Sequence, residues 1–143
     1  MNDSGPDMLY ALQQELRSLE SVHSALEAES LALSEGDVAN IETSIQKKEA
    51  ALANHQNIMG QRPTTTEEHA SDPDIGLLQD HLAALANQCQ ALNRHNGTLI
   101  SKLSDRTRAA LNVLQGTEES ALLYSASGVT PAGDKGSRVI GKA

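Results

Sequence analysis

The sequence predicts an all-α fold: an antiparallel three-helix bundle or coiled coil, with two shorter helices, one long C-terminal helix and a flexible tail. Three observations point there. Apolar residues, mostly leucine, recur at seven-residue spacing in three segments, two sharp break signals separate these segments, and the chain has no Phe or Trp and only two Tyr. A core confined to Leu, Ile, Val, Ala and Met favours helices, where straight-chain residues and Ala lose little freedom, over strands, which favour aromatic and β-branched residues.

The first helix is expected over about residues 6–34. Leu12, Leu19, Leu26 and Leu33 form its main row, and Leu9 and Leu16 begin the alternate row of a three-four repeat that His23 and Ser30 then weaken. At its start, Asp3 or Ser4 can accept from exposed backbone N–H groups, and Pro6 suits the first turn. Gly36 then offers a left-handed stop and Asp37 a cap for the next helix. So short a link makes the first two helices an antiparallel hairpin.

The second helix, 37–59, repeats the device with Val38, Ile45, Leu52 and Met59 one heptad apart and Ile41 on the same face. Lys48 and His55 hold the remaining seam positions and leave the apolar stripe narrow. Lys47 and Lys48 read as a solvated face, with Lys48 snorkelling to water. Residues 60–72, opening "GQRPTTTEEHAS", are polar and broken by Gly60 and Pro63, and read as a mobile loop.

Asp72-Pro73-Asp74 is the strongest local signal, combining a capping acid, a first-turn proline and a second acid at the positive dipole end. The helix it starts, 73–115, carries Leu78, Leu85, Leu92 and Leu99 in one row and Leu82, Cys89, Asn96 and Leu103 in the other. At about 42 residues and roughly 63 Å it exceeds the other two, so it must overhang the hairpin or bend. Asn96-Gly97 normally signals a turn, but the leucine rows keep helical phase on both sides. The helix is therefore expected to continue, the sequence leaving open whether it is straight or kinked near Gly97, where the missing side chain allows close approach of another backbone. Residues 1–116 make up the bundle. Residues 117–143 form a largely disordered tail, with a short helix near 118–125 capped by Thr117 and anchored by Leu122, Leu123 and Tyr124.

Nineteen acidic residues against eleven basic give a formal charge of −8, the wrong sign for binding nucleic acid or an anionic membrane. No run approaches the roughly 18 apolar residues of a membrane span. The N-terminus lacks a signal-peptide pattern and Cys89 is the single cysteine, which together suggest a cytoplasmic setting. His81, Cys89 and His95 share a helix at spacings that do not suit zinc, and Cys89 reads as an inert core thiol. There is no phosphate loop or nucleophile elbow, so no cofactor and no catalysis are expected.

"LNRHNGTLISKL", "LNVLQG" at 111–116, the Tyr124 and Gly128 pair and the earlier "GDVANIETSIQKKEAAL" together resemble the FlgN family of flagellar type III export chaperones, over roughly residues 8–130. The resemblance implies a cytosolic protein that holds hook-associated junction proteins by their C-terminal segments and delivers them to the flagellar export gate. It places partner contacts on the C-terminal part of the third helix and around Tyr124: Asn96, Gly97, Leu99, Ile100, Leu103, Leu111, Leu114, Leu122, Leu123 and Tyr124. Two other readings fit a helical bundle. One is a self-associating structural subunit. The other is a histidine phosphotransfer module using His95, which lacks the basic residue such sites place after the histidine. Oligomeric state is not legible from the sequence.

Overall fold

The structure is a computed structural model, which describes the backbone of residues 4–127 and the side chains of residues 7–117. Its elements are α1 (Ser4–Glu35), α2 (Val38–Met59), α3 (Glu67–Ser71) and α4 (Pro73–Ser127). The chain divides into two compact units, Met1–Ile100 and Ser101–Ala143.

In the first unit the helix ends follow the expected chemistry. Gly36 takes the left-handed conformation, φ 71°, and its N–H donates to the Ala32 carbonyl at 3.0 Å. That single bond closes α1 in the manner of a left-handed C-cap. The Asp37 side chain accepts from the Asn40 N–H and opens α2, and Asp72 Oδ1 accepts from the Asp74 N–H at 2.9 Å and opens α4. The expected cap at Asp3 or Ser4 lies outside the described side chains.

Helix α1 is central. Met8, Leu12, Glu15, Leu19, Val22, Leu26, Glu29 and Leu33 are all buried, at alternating spacings of four and three, and Ser18, Ala25 and Ala32 are buried beside them. The second row of the seam is thus Met8, Glu15, Val22 and Glu29, whereas Leu9 and Leu16 pack only partly buried against the core. Sequence reading chose the leucines because two buried positions carry carboxylates, which rarely lie inside unless paired.

The second helix is rotated from its expected face. Val38 is 69 % exposed and Leu52 and Met59 are exposed as well, while Ser44 is buried and Ile41, Ile45, Lys48, Ala51, His55 and Ile58 are half-buried. Polar residues take inward positions because α1 supplies partners for them: Lys48 meets Glu29, and His55 meets Ser18. Arg62, just beyond α2, pairs with Glu15. As residue numbers rise along α2 they fall along α1, so the pair is antiparallel.

Residues 60–72, read from sequence as a mobile loop, carry α3 and two fixed contacts. Thr66 Oγ1 accepts from the His69 N–H, and His69 Nδ1 accepts from the Thr66 N–H at 3.1 Å, a reciprocal cap that closes this short helix. His69 is buried, and the Arg62 guanidinium grips the Glu15 carboxylate with two N–H groups. Composition hid the Arg62 contact, because Glu15 lies 47 residues away in sequence.

Within this unit α4 starts beside the Glu15 end of α1 and reaches Leu26 and Glu29 at Asn96, so it runs parallel to α1 and completes an up-down-up bundle. Its inward positions are Ile75, Leu78, Leu82, Leu85, Cys89, Leu92, Asn96 and Leu99, both rows in the expected phase. The helix is unbroken through Gly97, and a Cβ built there would meet nothing within 4 Å. Among the described residues no backbone approaches that glycine, which corrects the expectation of a close contact.

In the second unit every described residue belongs to α4. The helix does not stop at 115 but runs to Ser127: Gly116 does not adopt the positive φ of a helix stop, and helix formers follow it. Thr117 is therefore not an N-cap; its hydroxyl donates back to the Val113 carbonyl at 3.0 Å. Leu103 is half-buried and residues 104–117 are exposed. The side chains of Leu122, Leu123 and Tyr124, and all of residues 128–143, lie outside the described residues.

Candidate functional site

Two arrangements draw the eye: a buried polar layer in the first unit and an exposed apolar row in the second. In the polar layer Glu29 and Asn96 are both 0 % exposed. Asn96 Nδ2 donates to Glu29 Oε1 at 2.9 Å and to the Leu26 carbonyl at 3.0 Å, and Lys48 Nζ lies 2.7 Å from Glu29 Oε2. The lysine contact is an ion pair by distance, although its angles fall outside hydrogen-bond geometry. One carboxylate thus ties three helices together. Asn96 Oδ1 finds no partner among the described residues, so the layer keeps one unmet acceptor.

A second polar set lies about three turns lower on α1. Ser18 Oγ donates to the Glu15 carbonyl and lies 2.7 Å from His55 Nδ1. With the hydroxyl proton committed to the carbonyl, His55 must donate through Nδ1, which fixes its ring orientation. Beside it, Leu19, His55, Met59, Arg62 and Leu82 line an open groove of about 400 Å³.

Among the described residues no group of three or more His, Cys, Asp or Glu could hold a metal, and no helix is long and apolar enough to cross a membrane. Burial raises the Cys89 thiol above its ordinary value, so little thiolate forms near neutrality. His95 is exposed on α4.

The predicted partner residues separate into three groups. Asn96 is removed from the list: it is enclosed, and its amide N–H groups are satisfied inside the bundle. Gly97 and Ile100 are exposed on α4 and Leu99 is half-buried beside them, in the first unit. In the second unit Leu111 and Leu114 are 53 % and 59 % exposed, Val113 is 69 % exposed, and Leu103 is half-buried. Leu103, Thr107, Ala110, Leu111 and Leu114 fall at helical spacings of 4, 7, 8 and 11 and so share one face. Exposed leucines at this spacing form the kind of contiguous apolar stripe that marks an interaction surface. What sequence reasoning missed was the polar layer: Lys48 was read as a seam residue reaching water, Asn96 as a partner contact, and Glu29 lay outside the leucine rows assigned to the first helix.

Compared with known proteins, the chain matches no curated protein and no solved structure. A family model described as FlgN protein matches residues 1–132, and the chain belongs to that family, whose membership implies a role as a flagellar export chaperone.

Proposed function

We propose, on the premise of FlgN-family membership, that this chain binds hook-associated junction proteins of the flagellum in the cytoplasm, keeps them secretion-competent and hands them to the type III export gate. The observation that carries the reading is the leucine stripe of α4, which the described residues leave exposed at Leu111 and Leu114. A helix of the client's C-terminal segment laid along Leu103, Leu111 and Leu114 would cover it, as amphipathic helices commonly fill apolar faces. Gly97, Leu99 and Ile100 in the first unit, and Leu122, Leu123 and Tyr124, remain further candidate contacts. Full burial of a leucine is worth about 1.5–3 kcal/mol, and these are already part-covered, so the stripe suits binding that can be reversed at the gate.

Calorimetry with C-terminal peptides of hook-associated proteins tests the reading directly. Saturable binding that disappears in the Leu111→Ser/Leu114→Ser variant is expected. Absence of binding to every such peptide, together with normal filament assembly in cells lacking residues 117–143, would overturn it. A Tyr124→Ala variant that still binds client but fails in export would assign that segment to the gate.

A further inference from the structure

Charge is unevenly divided along the chain. Residues 1–100 hold fifteen acidic and five basic side chains, whereas Ser101–Thr117 holds Lys102, Arg106 and Arg108 against a single acid, Asp105. Asp105 is already engaged: its Oδ1 lies 3.8 Å from Arg108 Nη1 on the exposed surface. Lys102 and Arg106 have no ion pair among the described residues, and both are exposed.

Their position on the helix matters more than their number. At about 100° per residue, Lys102 and Arg106 each precede a stripe position, Leu103 and Thr107, and line one flank of the stripe with Val113 between them. Arg108 lies off the opposite flank, beside its partner Asp105. The surface is thus a leucine row with an unpaired basic margin on one side, in a chain that is otherwise strongly acidic.

Resting on the reading of the leucine stripe as a client surface, we propose that it selects an amphipathic helix whose apolar row is bordered by carboxylates, held in one direction by Lys102 and Arg106. A second copy of this chain gives these cations no complementary margin: antiparallel pairing of two such stripes brings their basic margins together, and parallel pairing sets each against the flank that carries Arg108. Charged margins of this kind set partner choice in paired helices, the leucines supplying area without distinguishing partners.

The test uses the full chain and two designed amphipathic peptides of equal length with the same leucine row, one with glutamate margins and one with lysine margins. The glutamate peptide should bind more tightly, and its affinity should fall as salt rises. In Lys102→Glu/Arg106→Glu its binding should weaken about tenfold while the lysine peptide gains. Helicity by circular dichroism should not change, since both residues are exposed. Tighter binding of the lysine peptide to the native chain, binding of neither peptide, or indifference to the reversal would each overturn the proposal. So would concentration-dependent dimerisation that the Leu111→Ser/Leu114→Ser variant abolishes. Hook-associated peptides that bind equally well to the native and charge-reversed chains would overturn it while leaving the chaperone reading intact.

Discussion

Replacing Lys48 with Met tests the buried polar layer most directly. The substitution keeps a long flexible stem on α2 and removes only the ammonium that lies 2.7 Å from Glu29 Oε2. Glu29 is fully enclosed, so its carboxylate would be left with one side-chain donor, the Asn96 amide. Removing one partner of a buried ion pair costs about 3–5 kcal/mol. The Lys48 side chain is 17 % exposed, which lets water reach the vacated position and places the expected loss near the lower end, about 3 kcal/mol. For a chain of this size that is a fall of roughly 10 °C in Tm. Urea titration followed by far-ultraviolet circular dichroism should show the midpoint moving with an unchanged slope. The double variant Lys48→Met/Glu29→Gln should recover more than half the loss, because a neutral amide can still accept from Asn96 without its charge being stranded. A Lys48→Met chain within about 0.5 kcal/mol of native, the noise level of surface changes, would refute the reasoning.

Three further outcomes are expected. Gly97→Ala should raise stability by about 0.8–1 kcal/mol, read from the urea midpoint, since the glycine lies inside a helix with open space where the methyl would go. Cys89 should resist alkylation in the native chain at neutral pH and react readily in denaturant, because burial both hides the thiol and raises its pKa. The same shift carries a sign: above the ordinary thiol value the unfolded chain loses its proton first, so the contribution of Cys89 to stability falls as pH rises there. Leu111→Ser/Leu114→Ser should melt within about 0.5 kcal/mol of the native chain while losing binding to hook-associated peptides, which separates a surface role from a structural one.

Local chemistry was legible in the sequence and long-range polar pairing was not. Gly36-Asp37 and Asp72-Pro73 act within one turn of themselves, so their residue types alone announce the helix ends. The rows of α4 were legible because leucine at seven-residue spacing has no competing meaning. Glu15, Glu29, Lys48 and His55 sat at seam positions too, but a charged residue buries only when another element supplies its counterpart, and that counterpart lies 37 residues away for His55 and 47 for Glu15. The error then spread: with Lys48 read as reaching water and His55 as a gap in the apolar stripe, α2 was turned toward Val38, Leu52 and Met59. Asn96 was read two ways, as a member of the inward row and as a partner contact, and its full enclosure keeps the first. Of the candidate site, the stripe at Leu103, Leu111 and Leu114 was visible as periodicity, and the excess length of the third helix already implied that these leucines would be partly without partners.

The Lys48–Glu29–Asn96 contact also bears on misfolding. Leucine rows repeat every seven residues, so α4 could slide by one heptad along α1 and still set leucine against leucine. After such a slide Cys89 or Leu103 would stand where Asn96 donates, and the corresponding slide of α2 would replace Lys48 with Ile41 or His55. Either way a sealed carboxylate loses a donor, at a cost of several kcal/mol that leucine contacts cannot return. The least apolar positions of the seam therefore decide among alignments that the leucines alone leave nearly equal.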